Sequence, residues 1–149
     1  MAEKGARALF ERFLDGMGRL DFALLREVLH PDFVEEFPQS GERIRGVDAH
    51  RAMLERYPGG LTSGQLDRVS ARLVGDDERW VLTPGFTVLP LAGGGAFTGI
   101  FRTRYPDGSV WHVVSIYEVR DGRIARATTY FGPDFSPAEW RKDIVERMD

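Results

Sequence analysis

The spacing of apolar residues changes once along this chain, near Gly60, and that change constrains the fold more than any other feature. Before it the period is helical. Leu9, Phe10, Phe13, Leu14 and Met17 recur at three- and four-residue intervals between Ala6 and Met17. Asp21 then stands where a cap belongs, ahead of Phe22, Leu24, Leu25, Val28 and Leu29, and a third helix runs from about Val47 to Tyr57, stopped by Pro58-Gly59-Gly60. After Gly60 the runs Leu66 to Val74, Trp80 to Leu89, Phe97 to Tyr105, Val110 to Val119 and Ile124 to Phe131 read as strands. They are broken at Gly75-Asp76-Asp77, Gly93-Gly94-Gly95, Pro106-Asp107-Gly108 and Asp121-Gly122. Helices first and a meander afterwards predict an α+β fold, with three N-terminal helices on one face of a curved, mainly antiparallel sheet.

Two shorter elements complete the reading. His30-Pro31-Asp32 ends the second helix, because the residue before a proline avoids the α region, and Phe33 to Phe37 forms a short strand closed by Pro38-Gln39-Ser40-Gly41. Ser136-Pro137-Ala138-Glu139 has capping-box spacing and predicts a short C-terminal helix carrying Trp140, Ile144 and Met148. The 149 residues suit one domain, 1–149, with neither repeat nor linker.

Composition excludes several functions. Without cysteine there is no disulfide framework and no thiolate metal site, and a reducing cytoplasm is the expected location. The net charge is -3 and the arginines are scattered among acids, which leaves no footprint for nucleic acid. No apolar run approaches the ~20 residues that span a bilayer, so no membrane is expected. His30, His50 and His112 lie on separate elements, and Gly93-Gly94-Gly95 lacks the Lys-Ser/Thr of a phosphate loop, so neither metal nor cofactor is expected. The strand at Val110 to Val119 is apolar on both sides, Trp111, Val113, Tyr117 and Val119 against Val114 and Ile116. One helical layer covers only one side, so a homodimer through the outer sheet face is expected.

The order of elements resembles the nuclear transport factor 2-like superfamily, and the local sequence is similar to its SnoaL-like branch. The resemblance rests on Leu29 to Gly41, on Arg45-Gly46 before the third helix, and on Val119-Arg120-Asp121-Gly122-Arg123-Ile124 leading to Tyr130-Phe131-Gly132-Pro133. It implies a cone, a cystatin-like roll, whose interior holds a small, largely apolar molecule. Members isomerise steroids, cyclise polyketides, open epoxides or dehydrate alcohols, and others only bind partners. Their working residues do not carry over. Where ketosteroid isomerases place an aspartate base this chain has Phe37, and the positions nearest their oxyanion-binding tyrosine and acid are Phe13 and Ser115. Arg102 and Arg104 lack the flanking aspartates of the epoxide hydrolases, and the His/Asp pair of scytalone dehydratases has no matching set.

What remains is read from the residues. Alternation puts Phe33, Glu35 and Phe37 on one strand face, so Glu35 enters the cone if the phenylalanines do. A carboxyl between aromatic walls has its charged form disfavoured and becomes a proton-transfer group near neutral pH; a bulge or an arginine partner would instead make it structural. His50 shares a helical stripe with Val47, Leu54 and Tyr57. It either pairs with Glu35 as a proton carrier, the carboxylate favouring its charged form, or bonds a backbone carbonyl in the core. At Asp121-Gly122 a two-residue turn and a three-residue turn with a glycine bulge are both open. The longer turn is chosen, giving an interior of Trp111, Val113, Ser115, Tyr117, Ala127, Thr129 and Phe131, with His112 turned outward. The predicted pocket wall is therefore Phe13, Phe33, Phe37, Tyr57, Trp111, Val113, Ser115, Thr129 and Phe131, around Glu35 and His50. Two functions stand: cofactor-free proton transfer of isomerase, cyclase or lyase type, or a non-catalytic binding or dimerisation module.

Overall fold

The computed structural model describes residues 2–59, 67–74 and 95–148. Its elements are α1 (Ala2–Arg19), α2 (Phe22–Val28), β1 (Leu29–Phe37), β2 (Glu42–Arg45), α3 (Val47–Glu55), β3 (Asp67–Val74), β4 (Ala96–Arg104), β5 (Val110–Arg120) and β6 (Arg123–Pro133). The strand expected at Trp80 to Leu89 lies outside the described residues. The described strands form one sheet in the order β2-β1-β6-β5-β4-β3. Every described neighbouring pair is antiparallel except β1 and β6, which run parallel. This is the expected α+β architecture, with α1 and α2 packed on the concave face of the curved sheet.

Local chemistry explains most boundaries. Asp21 caps α2 by accepting from the Leu24 amide at 3.0 Å. The helix ends at Val28 and the chain extends at Leu29, four residues before the strand start that the sequence pattern predicts. Pro31, which has no N–H for a ladder, falls within a register shift between Leu29 and Val34. The short strand β2 has no counterpart in the sequence reading. It is four residues long and mostly charged, and becomes a strand only because Ile44 pairs with Glu35 on β1.

The turn between β5 and β6 corrects an expectation. Asp121 and Gly122 have φ of 53° and 71°, and Arg120 pairs with Arg123, so the turn has two residues in left-handed conformation rather than three. The expected interior nevertheless holds. Val119 pairs with Ile124 but Glu118 pairs with Arg126, leaving Ala125 as an extra residue. That bulge reverses the facing of the rest of β6, so Tyr117 meets Ala127, Ser115 meets Thr129 and Val113 meets Phe131.

The core fills the narrow part of the cone. Phe10 of α1 lies 5.6 Å from Phe97, 5.8 Å from Phe101 and 6.3 Å from Tyr117, ring centre to ring centre. Leu25, Val28, Leu29 and Ile124 close it behind. Gly99 on β4 is what lets Phe10 approach, since a Cβ there would lie 2.7 Å from the Phe101 ring and 2.9 Å from Phe10.

The C-terminal helix is not formed. Only a 3₁₀ turn at Glu139–Arg141 appears, without a side-chain cap, and Trp140 is 80% exposed, with Ile144 and Met148 exposed as well. A short segment whose apolar side finds no partner among the described residues lacks the packing that sustains helices. Trp140 therefore does not close the cone.

Two substitutions test this packing by urea denaturation. Gly99→Ala should cost about 1–3 kcal/mol through overpacking against two aromatic rings. Asp21→Ala should cost about 1 kcal/mol through loss of the α2 cap. Both should lower the midpoint with an unchanged slope.

Candidate functional site

Beyond the core the cone opens into a cavity of about 440 Å³. Helix α1 contributes Phe13, Leu14 and Met17, and α3 contributes His50, Met53, Leu54 and Tyr57. The sheet contributes Glu35 and Phe37 from β1, Val113, Ser115 and Tyr117 from β5, and Thr129 and Phe131 from β6. Phe101, Thr103 and Tyr105 from β4 and the adjoining turn, with Asp107, Ser109 and Trp111, complete the wall.

Of the residues singled out in the sequence, Phe13, Phe37, Tyr57, Trp111, Val113, Ser115, Thr129, Phe131, Glu35 and His50 all line this cavity. Phe33 does not. It shares the strand face of Glu35 and Phe37 but is buried in the core, because its carbonyl accepts from the Gly46 amide at 2.6 Å and this brings α3 across it. The His50 ring then packs edge-on over Phe33 at 5.6 Å, between it and the cavity.

Glu35 is 8% exposed, and no arginine or lysine among the described residues pairs with it. The neighbouring Glu36, on the outer face, takes Arg43 and Arg126 instead. Thr129 Oγ1 donates to Glu35 Oε2 at 3.5 Å, and Thr129 and Ser115 share a hydrogen bond at 2.9 Å. Burial pushes the Glu35 carboxyl up from 4.5 to about 7, with the Thr129 hydroxyl pulling the other way.

His50 is 2% exposed, and burial lowers it from 6.5 to about 4, so its imidazole is neutral at neutral pH. The expected pairing with Glu35 is not made: no hydrogen bond joins them, and the carboxyl is not what sets the histidine's charge state. Nor, among the described residues, does a backbone carbonyl accept from Nδ1. Nδ1 of His50 is buried without a hydrogen-bond partner.

At the wide end, sequence reasoning placed Tyr57 and Trp111 but missed Tyr105, Asp107 and Ser109, which join them in a polar and aromatic cluster. Tyr57 and Tyr105 stack with ring centres 5.6 Å apart, and Trp111 meets Tyr105 edge-on. Trp111 Nε1 donates to Ser109 Oγ at 3.0 Å, and Ser109 in turn bonds Asp107. Burial pushes the Tyr105 phenol up to about 12, so it stays protonated. The signal was present: Phe97, Phe101, Thr103 and Tyr105 alternate on one face of β4 and its continuation. Arg102 faces outward and pairs with Asp134, as does His112, so neither reaches the cavity.

A curved sheet folded around helices is the architecture of the cone-shaped nuclear transport factor 2-like class. Within it the SnoaL-like domain matches residues 10–127, and the chain belongs to that family. Among solved structures it is similar to an NTF-2 like protein of unknown function from Burkholderia xenovorans LB400, with a TM-score of 0.70 and 22% identity over 100% of this chain and 99% of that one. It is also similar to a candidate ketosteroid isomerase from Kribbella flavida DSM 17836, with a TM-score of 0.67 and 23% identity over 98% and 91%. A Mycobacterium tuberculosis LEH-like epoxide hydrolase superposes at a TM-score of 0.54 with 22% identity over 87% and 84%. At these identities the likeness is one of fold. No curated protein matches the chain in sequence. Among the described residues no helix is long and apolar enough to cross a membrane, and no group of three His, Asp or Glu stands together as a metal site.

The two buried groups make opposite contributions to stability. The raised Glu35 contributes stability that is complete below 4.5 and is lost as pH rises through about 7. The lowered His50 contributes stability that is complete above 6.5 and is lost as pH falls through about 4. Each amounts to about 3 kcal/mol across its window, and between pH 4.5 and 6.5 their slopes cancel. In thermal melts, Glu35→Gln should therefore lose stability toward acid faster than wild type, and His50→Gln should gain it. Parallel profiles for all three proteins would show that neither group is buried in this way.

Proposed function

We propose that this SnoaL-like domain binds a small, largely apolar organic molecule in its cone and moves a proton on it without a cofactor, in a reaction of isomerase, cyclase or lyase type, with Glu35 as the proton-transfer group. The observation that carries this reading is the acid itself. Glu35 is buried on an apolar wall, unpaired with any described cation, and pushed up to about 7, where it both takes and gives a proton at neutral pH. A purely structural carboxyl would be expected to hold an arginine, and the arginines lie on the other face with Glu36. An apolar cavity of about 440 Å³ with few convergent polar groups has the dimensions of a small-molecule site. His50 lines the cavity in its neutral form and so brings no charge to the ligand.

The proposal extends to assembly and location. On the outer face Ile100 pairs with Val114, Val114 with Tyr130 and Thr98 with Ile116, making a contiguous patch in which Ile116 and Tyr130 are 41% and 43% exposed. Ion pairs flank it at Arg126 with Glu36 and Glu118, and at Asp134 with Arg102 and His112. A second copy of the chain is the proposed occupant, in a cytoplasmic homodimer, and neither nucleic acid nor membrane is a proposed partner.

The first test is a thermal-shift screen of wild type and Glu35→Gln against several hundred small apolar compounds, followed by turnover assays on every hit. Ligands that stabilise both proteins but are turned over only by wild type are the expected result. Absence of any ligand would return the chain to the non-catalytic module, and undiminished turnover by Glu35→Gln would remove Glu35 from the proton-transfer role. For assembly, sedimentation of wild type should give a dimer and Ile116→Asp/Tyr130→Asp a folded monomer, since two buried unpaired charges outweigh a contact of this kind.

A further inference from the structure

We propose that Glu35, Thr129 and Ser115 form a proton relay with two ends in the cavity, Oε1 of Glu35 and Oγ of Ser115. Its substrate is an uncharged compound that releases a proton from one atom while taking one up on an oxygen, a tautomerisation. The inference rests on the reading of Glu35 as the proton-transfer group and adds two residues and a substrate class to it.

The three side chains stand in a row across three adjacent strands. Ser115 on β5 is the direct partner of Thr129 on β6, and Glu35 on β1 is registered with Ala127 on the same strand β6. All three are buried and all three line the cavity. Their bonds run in series, Ser115 to Thr129 at 2.9 Å and Thr129 to Glu35 Oε2 at 3.5 Å, and Oε1 has no hydrogen-bond partner among the described residues.

A hydroxyl has one proton to give and two lone pairs with which to accept, and either hydroxyl of the Ser115–Thr129 pair is able to be the donor. The chain therefore has two polarities. With Glu35 ionised, Thr129 must donate to it and Ser115 to Thr129, so Ser115 presents a lone pair to the cavity. With Glu35 protonated on Oε2, the acid donates to Thr129, Thr129 to Ser115, and Ser115 presents its O–H.

The second polarity supplies a balanced step. The substrate gives a proton to Oε1. The Oε2 proton passes to Thr129, which releases its own to Ser115, and Ser115 releases its own to the substrate oxygen. One proton enters and one leaves, Glu35 ends as the neutral acid with its proton on Oε1 instead of Oε2, rotation of the carboxyl and the two hydroxyls resets the row, and no charge is created that the cavity would have to solvate. That last condition matters here. The titratable groups that line the cavity with Glu35 are His50, Tyr57, Tyr105 and Tyr117, with Asp107 at the mouth bonded to Ser109, and no arginine or lysine stands among the described lining residues. His50 is neutral and Tyr105 stays protonated, so the site favours a path without separated charge.

The test needs no substrate. In protein labelled with ¹³C at the glutamate carboxyls, the Glu35 resonance is assigned by its loss in Glu35→Gln and titrated in wild type, Ser115→Ala, Thr129→Val and the double variant. Thr129→Val should raise the Glu35 midpoint by roughly one pH unit, as expected for a lost hydrogen bond to a carboxylate. Ser115→Ala should raise it by less, although Ser115 does not touch Glu35, and should have no effect once Thr129 is valine. Thr129→Ser, which keeps the hydroxyl, should stay near wild type and guards against misfolding of the valine variant. A Ser115→Ala shift that is zero, or equal in both backgrounds, overturns the relay. A wild-type midpoint near that of an ordinary glutamate overturns the parent reading instead, and the coupling among variants is measured whichever midpoint is found.

Discussion

Between the turn at Asp121-Gly122 and the rest of β6 the pairing slips by one residue, and every side chain beyond Ala125 takes the face opposite to the one an unbroken ladder would give it. Without the slip Arg126, Thr128 and Tyr130 would point into the cone, and a guanidinium would be buried against β1. With it, Ala127 fits under the core, Thr129 reaches both Ser115 and Glu35, and Phe131 comes within 5.8 Å of Phe37. Arg126 goes instead to the outer face, where Glu36 and Glu118 receive it. One unpaired residue thus separates the polar contents of the cavity from the charged contents of the surface.

The cavity gains its character from a single cause acting on two groups of opposite type. Burial disfavours the charged form of each, which moves a carboxyl up and an imidazole down, so that near neutrality one hovers between acid and base while the other carries no charge. Folding in mildly acidic solution replaces a carboxylate and an imidazolium with two neutral groups. The interior thereby retains acid–base capacity with no net charge, a condition that an apolar wall both imposes and tolerates.

Much of this was legible in the sequence because it depended on periodicity. Helical spacing located α1 and the stripe that carries His50, and alternation placed Glu35 with Phe37 and Ser115 with Val113. What was not legible depended on contacts between distant segments. The strand β2 exists only through its pairing with β1, and Phe33 leaves the cavity wall only because α3 crosses it. The pattern at Ser136 to Glu139 promised a helix that the described residues give nothing to pack against. The turn at Asp121-Gly122 was assigned the wrong length, yet the interior was right, because a bulge further along and a longer turn shift the facing by the same one residue. Tyr105 was overlooked although its parity matched Phe97 and Phe101, because the strand end was read as a boundary rather than as the rim of a cavity.

The parallel pairing of β1 with β6 joins segments that lie 94 residues apart at the bond between Glu35 and Thr129. Contacts of such separation form late, since a long loop must close before they stabilise anything. During synthesis β1 leaves the ribosome well ahead of its partner, and until β6 arrives the Glu35 carboxyl remains hydrated and ionised like that of any glutamate. In chain order β6 is the last strand of the described sheet, so the bond from Thr129 to Glu35 and the wall around the acid are completed only by the final strand.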